Sequence, residues 1–125
     1  MMTIAETLQR FGCFHDWHLD TMATQCNAAR DIPDTFMIGL FHGEKRATIK
    51  FLGVTRVGIE NVGLLNIVNA IEVIGPGSES YTRVQELLRG SAHGSRRAAN
   101  VVCVFATVGA EVAIEFDSLH IESEI

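Results

Sequence analysis

Six segments of this 125-residue chain are crowded with β-branched and aromatic residues, each bounded by turn formers: Phe14 to Thr24, Thr35 to Phe41, Ala47 to Ile59, Leu65 to Ile74, Val101 to Thr107 and Glu111 to Ile121. Such side chains suit a pleated, half-buried surface better than a helix, so a sheet of about six strands is expected. The polar run His42-Gly43-Glu44-Lys45-Arg46 and the short connection at Gly109 predict antiparallel hairpins. In the last segment Val112, Ile114 and Phe116 share a face, whereas Leu119 and Ile121 fall out of step across Asp117-Ser118, where a β-bulge is expected.

Two helices fit around these strands. Ile4, Leu8 and Phe11 recur at helical spacing between Thr3 to Phe11, with Thr3 and Glu6 spaced as a capping box and Gly12 as a stop. A second helix runs from a cap at Ser78 or Ser80 to Arg89, with Tyr81, Val84 and Leu87 or Leu88 on one face and Gly90 beyond its end. Gly90 to Asn100 reads as a mobile loop. The expected fold is one α+β domain over 1–125: a curved, mainly antiparallel sheet, an N-terminal helix and a second helix before the last two strands.

Composition supports one core and no more. The chain is 47% hydrophobic and 20% charged with a net charge of −5, which excludes intrinsic disorder and leaves too little length for two cores. No window reads as a membrane span or signal peptide, and Cys13, Cys26 and Cys103 form no metal-binding spacing. A reduced, cytoplasmic location is expected.

The segments that could carry chemistry each fall short of a motif. On a strand beginning at Phe14, side chains alternate, which would send Asp16, His18 and Asp20 to one face and His15, Trp17 and Leu19 to the other. That trio, with His15 or His120, is the alternative reading: a divalent-metal-dependent hydrolase or metal sensor. The ordinary reading is a half-exposed strand, or a hydrogen-bonded interface histidine at position 18. The serines of Gly77-Ser78-Glu79-Ser80 and Gly90-Ser91-Ala92-His93-Gly94-Ser95 sit in turn sequences without a nucleophile elbow, and Cys13 and Cys103 read as small buried side chains. Gly75-Pro76-Gly77-Ser78 leads into a helix N-terminus but lacks a phosphate-loop lysine. No enzyme and no cofactor are expected. Arg83, Arg89, Arg96 and Arg97 gather near His93, yet acidic residues interrupt them, so nucleic acid is disfavoured.

Charge is distributed unevenly. Residues 1–97 hold ten acidic and ten basic side chains, so the entire surplus comes from Glu111, Glu115, Asp117, Glu122 and Glu124. On an alternating strand Glu111, Glu115 and Asp117 lie opposite Val112, Ile114 and Phe116, forming a negative ridge able to steer a basic protein partner. The same polar face would also serve to keep an edge strand solvated.

The stretches Phe14-His15-Asp16, Phe51-Leu52-Gly53-Val54 and Asn61-Val62-Gly63-Leu64-Leu65-Asn66-Ile67-Val68, with a closing acidic-apolar tail, resemble small uncharacterised bacterial α+β proteins, some of them similar to immunity proteins of polymorphic toxin systems. The resemblance implies a non-enzymatic role in binding a toxin or another protein, and it assigns no site residue. The expected function is therefore a small protein-binding domain using Glu111, Glu115 and Asp117, with a homodimer through an exposed sheet edge as a structural alternative.

Overall fold

The computed structural model describes residues 2–26, 33–91 and 94–124. Helix α1 (Ile4–Gln9) leads through a 3-10 turn (Gly12–Phe14) into β1 (His18–Gln25), β2 (Thr35–His42), β3 (Lys45–Leu52), β4 (Arg56–Glu60) and β5 (Ile67–Val73). Helix α2 (Tyr81–Leu88), β6 (Asn100–Val108), β7 (Glu111–Phe116) and β8 (Ser118–Glu124) complete the order. Among the described residues no helix is long and apolar enough to cross a membrane.

The sheet is antiparallel throughout, in the order β4-β7-β6-β5-β1-β2-β3-β8. Among the described residues it has eight strands, not about six, because two of the expected segments break. Ala47 to Ile59 divides at residues 53–55 into β3 and β4, and Glu111 to Ile121 divides at Asp117 into β7 and β8. The two breaks meet. Thr55 N–H donates to the Glu115 carbonyl and Asp117 N–H to that of Leu52, both at 2.9 Å, so hydrogen bonding carries across the corner. The phase change at Asp117-Ser118 is thus a change of partner, from β4 and β6 before it to β3 after it, and not a bulge.

Edge strands β4 and β8 are continuations of β3 and β7, which stand near opposite ends of the strand order, so the sheet curls until those ends meet. Inside the curl Leu19, Ile38, Ile49, Phe51, Ile71, Val104, Ile114 and Phe116 form one buried core with Leu8 of α1. Phe51 packs edge-on against Phe116, ring centroids 5.0 Å apart, directly beneath the corner. The expected capping box of α1 is formed, with Thr3 and Glu6 exchanging bonds of 3.0 and 3.1 Å. The hairpins at Gly43 and Gly109 are also as expected.

Helix α2 lies on the outer face of β4 and β7, where Val84 and Leu88 bury against Ala113 and Cys103. Gly58 sets how close it comes. A Cβ there would lie far inside contact distance of the Leu87 carbonyl oxygen, a backbone atom that cannot swing away. Gly58→Ala should therefore cost about 2 kcal/mol or more, while Gly75→Ala, where a Cβ meets open space, should stay within about 0.5 kcal/mol in urea unfolding.

Candidate functional site

The residues expected to form a negative ridge are neutralised within the molecule. Sheet register sets Arg56 directly opposite Glu115 and Glu60 opposite Glu111. Arg56 grips Glu115 in a two-pronged pair at 3.1 and 2.6 Å and also donates to Gln85 of α2 at 2.9 Å. Arg83 of α2 bridges Glu60 and Glu111, relieving the repulsion of two like charges placed side by side. Asp117 is paired with Arg96 at 3.1 Å. The acidic strand face is the seat of α2, so Glu111, Glu115 and Asp117 do not present free charge to a partner, which corrects the expected ridge. Two of the four arginines that looked like a weak basic patch, Arg83 and Arg96, are the other half of these pairs, and Arg89 is paired with Glu86.

Glu115 is only 4% exposed and also accepts from the Thr55 hydroxyl at 2.6 Å. Burial pushes its pKa upward, but the bonds from Arg56 and Thr55 and the charges of Arg56 and Arg97 outweigh that, leaving it below the ordinary value. A carboxylate held ionised in the fold stabilises it above its unfolded pKa, and that contribution disappears as pH falls through the folded value. Glu115→Gln should lose about 3 kcal/mol at pH 7, and the gap from wild type in urea unfolding should close as pH falls below about 4.3.

The Asp16, His18 and Asp20 trio does not converge. The first strand begins at His18 and not at Phe14, because Cys13, Phe14 and Asp16 take left-handed backbone conformations in the preceding turn. Asp16 therefore lies outside the strand, and a register shift between Leu19 and Thr21 breaks the alternation at Asp20. His18 stacks on Phe41 at 4.7 Å and Asp20 pairs with Arg46 at 2.6 Å. Among the described residues no group of three or more His, Cys, Asp or Glu side chains is placed to hold a metal ion. Ala92 and His93 lie outside the described residues. Cys103 is fully buried, and desolvation pushes its thiol up to about 12; Cys13 is half-buried. Ser78 closes the turn after β5 on itself, its hydroxyl accepting from Gly75 N–H at 3.0 Å.

What stands out instead is the connection from β4 to β5. Between Glu60 and Glu72 the sequence is uncharged, and the connection exposes Val62, Leu64 and Leu65, with Leu64 fully in solvent. Half-exposed Val108 precedes the Gly109 turn, whose backbone lies against Leu65 and Asn66. Gly109 has φ +84°, and a Cβ there would collide with the Asn66 side chain and the Leu65 carbonyl. Asn66 is the clamp. Its buried side-chain oxygen accepts from Gly63 N–H at 3.0 Å and Ala110 N–H at 2.9 Å, and its amide donates to the Gly63 carbonyl at 2.8 Å. In the sequence, residues 60–64 fall between two expected strands, and Asn61 to Val68 carry only a resemblance that gives the loop no role; its one available signal was the Gly63 to Asn66 turn chemistry inside a charge-free run.

The chain matches no protein-family model, no curated protein and no solved structure, so the geometry alone carries the functional reading. Asn66→Ala should strand the Ala110 N–H, cost about 2 kcal/mol and speed amide exchange at Gly63 and Ala110 well beyond the effect on β2.

Proposed function

We propose that this chain is a non-enzymatic protein-binding domain that recognises its partner through the apolar loop 61–66 and the neighbouring turn at Val108. The observation that carries this reading is Leu64, fully exposed between Val62 and Leu65 on a loop held by three hydrogen bonds to one buried side chain. Stability gains nothing from large apolar side chains held in water, whereas association gains from an apolar patch already fixed in its bound shape.

Recognition on this reading is apolar at its centre, as binding hot spots are, and does not depend on the acidic strand. In the immunity proteins that the sequence resembles, such a partner would be a toxin.

Placing photoreactive p-benzoylphenylalanine at position 64, and separately at exposed Glu79, tests the reading in cells that make the protein. Irradiation should yield one discrete adduct with a different protein from position 64 and none from position 79, and Leu65→Asp should abolish it. No adduct, equal labelling at both positions, or an adduct of two copies of this chain would overturn the proposal, the last in favour of a homodimer.

A further inference from the structure

A second site lies elsewhere on the molecule, formed by the end of α1, the turn into β1, the β2–β3 hairpin and the end of β8. These elements enclose an open cleft of about 410 Å³, within the size range of small-ligand sites. Phe11 and Trp17 form its aromatic wall. Both rings are fixed by the fully buried Phe14: Phe11 stacks parallel to it at 4.9 Å, and Trp17 meets it edge-on at 5.0 Å. The turn that carries them holds Cys13 and Phe14 in left-handed backbone, a conformation that costs each about 1–2 kcal/mol, and Asp16 in the same region, which Asp adopts more readily. Strain of this kind recurs where a fold positions groups for binding.

Three of the other five lining residues are cationic, the remaining two being Ser123 and Glu124. Arg10, Lys45 and Arg46 converge on the cleft in a protein whose net charge is −5. Arg46 is held by Asp20, at 2.6 Å, with its guanidinium 5.8 Å from the centre of the Phe41 ring. Arg10 and Lys45 make no ion pair among the described residues, although most other arginines of the molecule are paired with acids. Among the described residues Glu124 is the single carboxylate on the wall, set opposite Arg46 in the β3–β8 register. Three cations thus face one lining acid, Glu124, and the Asp20 that orients Arg46.

We propose that this cleft binds a small planar anion, an aromatic ring bearing a carboxylate or phosphate. The ring stacks against Phe11 and Trp17, and the anion takes charge-assisted hydrogen bonds from Arg10 and Lys45. Glu124 favours a ring that also carries a hydrogen-bond donor on its far edge. This site is independent of the loop at Leu64, and either can fail without the other.

Trp17 is the only tryptophan, so its indole N–H resonance reports on the cleft alone. Adenosine 5′-monophosphate and benzoate are titrated against the ¹⁵N-labelled full chain, with adenosine and benzyl alcohol as uncharged rings, and phosphate and acetate as anions without one. At least one ring-bearing anion should shift the Trp17 resonance saturably with Kd near or below about 1 mM, and its uncharged counterpart should bind at least about tenfold more weakly. Which of the two saturates distinguishes a phosphate from a carboxylate ligand. Arg10→Ser with Lys45→Ser should weaken binding by about tenfold or more while leaving amide shifts in β5 and β6 unchanged. No saturable shift with either anion, equal binding of the uncharged rings, or full binding by the double variant would overturn the proposal.

Discussion

The buried pair of Glu115 and Arg56 sits at the corner where the sheet turns back on itself, and the rest of the architecture depends on it. Glu115 offers its backbone carbonyl to Thr55 and its carboxylate to the Thr55 hydroxyl and the Arg56 guanidinium. The Thr55 hydroxyl in turn accepts from Ala98 N–H at 3.1 Å, drawing the segment before β6 into the same knot. One side chain therefore joins the break between β3 and β4 to the end of β7. A carboxylate withdrawn from water is tolerated only because every partner is in place, and those partners exist only when the sheet is curled. Apolar burial beneath it, through Phe51 and Phe116, rewards the same geometry.

This arrangement also changes the meaning of the chain's charge. The acidic surplus near the C-terminal end looked like a steering surface, yet its strand residues meet arginines from far earlier in the chain. Arg83 and Arg56 convert the outer face of β4 and β7 into a seat for α2, with Gly58 allowing the helix backbone close. Among the described residues the cations left without an ion pair include Arg10 and Lys45, which share one cleft, while unpaired acids such as Glu44, Glu72 and Glu79 are scattered along the chain. Spatial pairing, not linear tally, decides where a field survives.

The two surfaces proposed for recognition share a design. Each holds exposed or partly exposed apolar side chains on irregular backbone that something buried keeps in one shape: Asn66 behind Leu64, and Phe14 behind half-buried Phe11 and Trp17. Irregular backbone without such support would lose the entropy of ordering on every binding event.

Much of the fold was legible because side-chain chemistry repeats at the period of its element. β-branched alternation marked the strands, Thr3 and Glu6 marked the first helix, and Gly43 and Gly109 marked two hairpins, all local preferences of neighbouring residues. The phase change at Asp117-Ser118 was legible but its nature as a change of partner was not, and the break at 53–55 was not legible at all, since the groups that bridge the corner, Thr55 to Glu115 and Asp117 to Leu52, lie sixty or more positions apart. The same limit hid both surfaces: Asn66 acts as a clamp only with Ala110 beside it, and Arg10, Trp17 and Lys45 form one cleft only after the sheet has curled. Local sequence determined which segments pair as strands and which coil as helices, because those preferences are set by adjacent residues. Tertiary structure alone decided which charges are cancelled and which apolar groups stay in water, because both depend on distances that no stretch of chain contains.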